Sequence, residues 1–403
     1  MNDSLIKQAL IVMITFGLLK SSDVSPGILV TLAAGVFILP FLLFSATAGQ
    51  MADKYEKSAV IQRIKLAEIL IMAMACLGFH LSNTYFLIFI LFLMGVQSSF
   101  FGPLKYGILP SHLKEGELIG GNALIEAGTF LAILIGTIIG GLLIIVKHGA
   151  VIVSTTLLLV ALLGWIASRS IPVAAAADPN LEINFNILQE IGRMVDRARE
   201  TRTVFISIIG ISWFWLVGAT FLSQFPNYSK ILLGGDASVV TLFMFTFSLG
   251  IGIGSYWCTK LLKGVISAKY VPLSAFALTA FILDLFFVSA GLHAPPSGLI
   301  TASGFINRPT SWRILFDLTA ISVCGGLYTV PLYAILQNHS DPTTRSRNIA
   351  ANNLMNAFFM VIGAVIATIM LAVDWTIPEI FLSLAIANGF VGLYITRLLP
   401  SRS

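Results

Sequence analysis

Residues 100–127 read "FFGPLKYGILPSHLKEGELIGGNALIEA", and residues 328–357 read "YTVPLYAILQNHSDPTTRSRNIAANNLMNA". The second stretch is a degenerate copy of the first: Pro103 answers Pro331, and Asn122 answers Asn352. The chain therefore reads as two related halves. Both copies carry polar side chains at the edges of long apolar runs, where charge is expensive and points to function. Their polar equipment differs, because Lys105 is lost from the second copy and Asn356 stands where Glu126 stood.

The runs around the cassettes set the class of protein. Of 403 residues, 57% are hydrophobic and 11% are charged, with a mean hydropathy of +0.92. Soluble domains carry about 25% charged residues, so a water-soluble globule of this size is excluded. Apolar runs long enough to cross a bilayer recur along the whole chain. They are continuous rather than alternating, which excludes a transmembrane β-barrel. The expected fold is an all-α integral membrane protein with twelve spans, beginning near residues 3, 27, 60, 84, 118, 149, 204, 237, 269, 313, 349 and 377.

Most of the 24 lysines and arginines fall in connections that a twelve-span chain places on the cytoplasmic side, with both termini inside. The exceptions are Lys20, Lys147, Lys230, Arg308 and Arg313, with Lys7 inside the first span. The net charge of +5 thus reflects topology and does not point to nucleic acid. The longest polar stretch divides six spans from six, giving an N-terminal half (1–170), a cytoplasmic linker (171–203) and a C-terminal half (204–403). Within the linker, "FNILQEIGRMVDRARE" sets Ile187, Leu188, Ile191, Met194, Val195 and Ala198 on one helical face, with Arg193, Arg197 and Arg199 mostly on the other. Such a helix lies on anionic headgroups or serves as a solvated linker.

Three widely separated cysteines suggest no disulfide framework, and the five histidines have no metal-ligand spacing. The chain has neither a nucleotide-binding loop nor a nucleophile elbow, so ATP-driven transport and hydrolysis lack sequence support. No enzymatic activity and no cofactor are expected.

Six plus six spans, a central linker and duplicated halves point to the major facilitator architecture. The loop "GQMADKYEK" resembles that superfamily's signature between helices 2 and 3, through Gly49, Asp53, Lys54 and Lys57, with Glu56 where glycine is usual. Gly49 allows close helix approach, and Asp53 can cap or pair with a neighbouring helix end. The echo in the second half, "GSYWCTKLLKG", keeps Gly254 and Lys260 but has Cys258 in place of the aspartate. The run "GTIIGG" (Gly136, Gly140, Gly141) resembles the glycine-rich segment of exporters and reads mainly as a packing device.

Taken together, "NDSLIK", "GQMAD", "PLKYGIL" with "GNALIEA", "ISWFWLVGATFLSQFPNYSK" and "PLYAILQ" resemble bacterial lysophospholipid transporters, over essentially the whole chain. The likeness extends to the transporter module that some bacteria fuse to an acyltransferase and an acyl-acyl carrier protein synthetase. In that family the first span begins about a dozen residues before the Asn-Asp motif, whereas here only Met1 precedes Asn2 and Asp3, which reads as a start lying upstream or as a shortened variant; Leu222 and Ser223 occupy a region where the family has an arginine. The resemblance implies movement of lysophosphatidylethanolamine-type lipid across the bacterial inner membrane for reacylation, with the acyltransferase/synthetase either a separate polypeptide or absent. It also implies substrate contacts from Asn2, Asp3, Lys7 and Lys105, and a conformational gate at Gly49, Asp53, Lys54 and Lys57.

From the residues themselves, Asp3 and Lys7 are one turn apart and can pair, and Glu126 lies one turn beyond Asn122 on a shared helix face, where it balances Lys105, caps a broken helix or makes a structural hydrogen bond; Asn122 and Glu126 join the candidate substrate-binding residues. Lys105 suits a lipid phosphate or snorkels at the interface. Arg313 stands one turn before Asp317 and is its expected partner, whereas Asp284 has no evident partner in sequence. The alternative function is export of drugs or small amphipathic solutes. A third is a scaffold docking an acyltransferase through the linker helix.

Overall fold

The structure, a computed structural model, describes residues 1–15, 26–292 and 299–398. Eleven helices among the described residues are long and apolar enough to cross a membrane. The first expected span is described as α1 (Asn2–Thr15), and its continuation through Lys20 lies outside the described residues. In the first half follow α2 (Pro26–Lys54), α3 (Lys57–Leu81), α4 (Thr84–Gly107), the short α5 (Leu109–His112), α6 (Leu118–Ile144) and α7 (Gly149–Ser168). The linker contributes α8 (Ile187–Glu200). The second half holds α9 (Arg202–Asn227), α10 (Ala237–Leu262), α11 (Val271–Ser289), the short α12 (Ala302–Ile306), α13 (Pro309–His339), α14 (Arg345–Ala372) and α15 (Ile377–Ile395).

Local chemistry fixes several helix ends. Asn83 accepts a hydrogen bond from the Phe86 N–H at the start of α4, and Asp236 accepts one from the Ser238 N–H at the start of α10. Pro103 and Pro331, shared by the two cassettes, sit inside α4 and α13. A membrane helix tolerates such prolines because neighbouring groups satisfy the freed carbonyls.

The chain forms two compact units. The first comprises Met1–His112, Ala132–Thr201 and His339–Ala357, and the second comprises Leu113–Leu131, Arg202–Asn338 and Phe358–Ser403. Each unit therefore contains one segment from the opposite sequence half: the start of α6 in the second unit, the start of α14 in the first.

The core of the first unit gathers Leu5, Ala9 and Met13 of α1, Met72 and Phe79 of α3, Leu91 of α4 and Leu157 of α7. Against α1 lies the glycine run of α6. A Cβ on Gly136 would sit 2.6 Å from the Met1 carbonyl oxygen, and one on Gly140 would overlap the Leu5 carbonyl. Small residues here let two backbones touch, which is the packing use of such spacing. In the second unit, Phe130 stacks on Trp215 with ring centroids 5.9 Å apart, and Phe221 stacks on Phe381 at 4.9 Å. A Cβ on Gly326 of α13 would lie 2.6 Å from the Ile251 carbonyl of α10.

Helix α8 packs on the first unit, burying Glu190, Met194 and Ala198 at successive turns, while Arg193 and Arg199 stay exposed. Of its apolar face Met194 and Ala198 are covered by protein, Ile187, Ile191 and Val195 are half-buried, and Leu188 is exposed.

Candidate functional site

Three groups of polar side chains buried inside the apolar units, among the described residues, hold or adjoin the expected site residues. The first group lies where α2 meets the start of α14. Asp53 is fully buried; its carboxylate accepts hydrogen bonds from the backbone N–H groups of Ser346 (3.0 Å) and Arg347 (3.2 Å), and from Arg347 Nε at 2.9 Å. It thus caps the α14 N-terminus and neutralises a guanidinium there. Arg347 also donates to the Thr343 carbonyl and, at 3.3 Å, to Asp178 of the linker. One turn earlier, a Cβ on Gly49 would lie 2.6 Å from Ala350 Cβ and 3.0 Å from Arg347 Cα, so glycine is required for this approach.

The linker is pinned to the same corner. The N–H groups of Ala177 and Asp178 both donate to the Asp53 carbonyl, and the Lys57 N–H donates to the Ala174 carbonyl. Gln50 exchanges two hydrogen bonds with the backbone of Asn184. Glu56 caps α3 by accepting from the N–H groups of Ser58 (2.8 Å) and Ala59 (2.7 Å), and it also accepts from the Ala174 N–H. Partial burial works against its charge, but the Ser58 hydroxyl and the three N–H donors prevail and hold the carboxyl at about 2. The side chain of Lys57 is buried, and Lys54 lies 5.8 Å from the Tyr55 ring centroid.

The second group is built on Glu68, a buried carboxylate within α3. It accepts from Asn2 Nδ2 at 2.9 Å, Lys65 Nζ at 2.8 Å and Gln97 Nε2 at 3.1 Å, so α1, α3 and α4 meet on one charge. Asn2 is accordingly buried. Asp3 and Lys7 form no ion pair with each other among the described residues: Asp3 accepts from the amino-terminal ammonium and the Ser4 N–H, and Lys7 lies over the Phe37 ring. Lys105, at the end of α4, lies 4.6 Å from the Tyr106 ring centroid.

The third group is in the second unit. Asn122 of α6 and Gln337 of α13 exchange two amide hydrogen bonds, at 2.7 and 3.0 Å, and both are fully buried. Glu126 is buried one turn further along α6. Lys105 therefore belongs to the first unit, and Asn122 and Glu126 to the second.

The expected Arg313 to Asp317 pairing is corrected: Arg313 binds Asp284 of α11 through Nε (2.9 Å) and Nη2. Sequence reasoning looked one turn along the same helix, whereas the neighbouring helix supplies the partner. It also passed over Glu68, Gln97 and Gln337 as polar partners, and counted Arg347 as a topological charge. Glu68 and Gln97 carried a signal, since each interrupts a long apolar run, in "KLAEILIMAMA" and "LMGVQSSF".

Duplicated halves, long apolar helices and polar groups buried between helices define a polytopic helical protein of the transporter class. The family model of the Major Facilitator Superfamily matches residues 4–306. The chain belongs to the major facilitator superfamily. Over 365 residues it is 29% identical to the lysophospholipid transporter LplT of Citrobacter koseri, spanning 89% of this chain and 82% of that one. It is 28% identical over 349 residues to the protein of the same name from Escherichia coli, spanning 84% and 79%. Among solved structures, the E. coli fucose:proton symporter FucP superposes with a TM-score of 0.71 at 13% identity, covering 99% of this chain and 97% of that one, a likeness of fold.

Proposed function

We propose that this protein transports lysophospholipid across the bacterial cytoplasmic membrane by alternating access, carrying lysophosphatidylethanolamine-type lipid to the inner leaflet for reacylation. The observation that carries the reading is the similarity to lysophospholipid transporters over nearly nine-tenths of the chain. Both termini lie in the cytoplasm, and a separate acyltransferase/acyl-acyl carrier protein synthetase consumes the transported lipid.

The headgroup is bound by Lys105, which offers a compact positive charge to the phosphate. Asn2, Asp3, Lys7, Asn122 and Glu126 supply the other polar contacts during the cycle. The acyl chain stays among apolar side chains. Gly49, Asp53, Lys54 and Lys57 form the conformational gate, and the Asp53 to Arg347 ion pair supports that role. No single polar residue is required to be symmetric between the halves, which suits a lipid with one charged end.

The test is reconstitution. Proteoliposomes are expected to move lysophosphatidylethanolamine but not a soluble drug, and Lys105→Ala is expected to abolish that movement. Transport that survives in Lys105→Ala sinks the headgroup assignment. Drug movement without lysolipid movement replaces the reading with the exporter alternative.

A further inference from the structure

Asp317 is a charge-bearing side chain that the site above does not use. It lies about two turns into α13 and is fully buried, and neither of its carboxyl oxygens meets a hydrogen-bond donor among the described residues. Arg313, one turn before it, is committed to Asp284. The Asp284 carboxyl itself is within hydrogen-bonding reach of Asp317. The remaining titratable neighbour is the buried Tyr228 phenol, whose hydroxyl pairs with Ser289 at 2.7 Å.

This arrangement lacks a particle. An ionised Asp317 here has lost its water and gained no donor, a loss of several kcal/mol in principle. Two neighbouring carboxylates with one guanidinium, which is bound to Asp284, do not both keep their charge. A multivalent metal finds too few ligands, since no cluster of three His, Cys, Asp or Glu exists among the described residues. A proton fits, because it converts Asp317 from an acceptor into a donor to Asp284.

We propose that Asp317 is a proton-binding site of the second unit, its proton shared with Asp284 while Arg313 holds the charge on Asp284. Release breaks the Asp317 O–H bond, passes the proton to water and leaves the electron pair on a carboxylate. That carboxylate requires hydration, so the dry arrangement and proton occupancy are linked. The rate of lysolipid movement then depends on pH through this residue, and this part alone rests on the transport reading.

The test uses the full chain in lipid nanodiscs, without substrate and in sodium-free buffer, followed by infrared difference spectroscopy over a pH series. Wild type is expected to show the carbonyl stretch of a protonated carboxyl that disappears in one step on alkaline titration. The difference between wild type and Asp317→Asn isolates it from the other buried acids, Asp53, Glu68, Glu126 and Glu190. Asp284→Asn is expected to keep the band at a shifted frequency, because the proton has a new acceptor, and this variant serves if Asp317→Asn does not fold. No such band in wild type, or an undiminished band in Asp317→Asn, overturns the site. In liposomes, wild-type movement should change several-fold between mildly acidic and mildly alkaline pH, with a ratio near one in Asp317→Asn; matching pH profiles overturn the coupling. A titrating band in a wild type that moves no lysolipid leaves the proton site standing and defeats the transport reading instead.

Discussion

Replacing Asp53 with alanine perturbs the first unit at a single buried charge. The substitution takes the acceptor away from three donors: the Ser346 and Arg347 N–H groups and Arg347 Nε. Removing one member of a buried ion pair costs about 3–5 kcal/mol, because the other is left uncompensated. Arg347 retains the Thr343 carbonyl at 2.8 Å and Asp178 at 3.3 Å, which places the expected loss near the lower end, about 3 kcal/mol. Arg347→Ala should cost a similar amount, since Asp53 keeps its two backbone donors but loses its cation. The double variant removes both charges, so its loss should fall short of the sum by about 2 kcal/mol. Reversible unfolding in mixed micelles of wild type, both single variants and the double variant measures this coupling. Single losses that add to within about 0.5 kcal/mol would refute the reasoning, because independent sites add to that tolerance. Asp178→Ala is the control: its partly exposed side chain should contribute about 0–1 kcal/mol.

Glu56 gives a pH dependence. Its carboxyl is held at about 2 against the ordinary 4.5, so its stabilisation is complete above about 4.5 and lost as pH falls toward 2; amide exchange at Ala174 should accelerate across that window in wild type and not in Glu56→Gln. Gly140→Ala should destabilise by about 1–3 kcal/mol, because its methyl meets a backbone carbonyl that cannot swing aside. Gly128→Ala, with nothing within 4 Å of the new methyl, should be neutral or gain about 0.5–1 kcal/mol, and equal thermal shifts for the two glycines would contradict the packing account. Asn122→Ala should cost about 1–3 kcal/mol by removing two hydrogen bonds from the buried Gln337 amide, while Asn122→Leu with Gln337→Leu should recover part of the loss in the same unfolding assay.

The helix starts were legible because a bilayer imposes length and hydropathy on each span, and α2, α4, α10 and α15 begin within a residue of their apolar runs. Which helix packs on which was not legible. These helices are apolar nearly all round, so no stripe marks the protein-facing side as it would in a soluble bundle. The linker helix is the exception, with a true amphipathic pattern, yet that pattern left a headgroup surface and a solvated linker equally open, and Met194 and Ala198 of its apolar face are buried against protein. Pairing by sequence neighbourhood likewise failed for Arg313 and Asp317, because α11 brings Asp284 to the guanidinium from another helix. Asn2 was singled out by motif, but Glu68, the charge that holds it, lies 66 positions away and emerges only when α1 and α3 pack.

The duplicated cassette explains why the polar groups are unequal. Each compact unit contains a junction between its own half and the segment taken from the other. In the first unit that junction carries an ion pair, Asp53 with Arg347. At the related place in the second unit, Cys258 replaces the aspartate, and the contact is between small groups: a Cβ on Gly264 would lie 2.6 Å from the Gly116 carbonyl, and one on Gly120 would lie 3.9 Å from a Thr259 methyl. The amide pair shows the reverse loss. Asn122 finds Gln337 in the second unit, whereas buried Asn352 in the first has no hydrogen-bond partner among the described residues, because Leu109 stands where the first cassette would need a glutamine. One junction is thus held by charge and the other by a neutral amide pair, worth about 3–5 and 1–3 kcal/mol respectively when one side is removed.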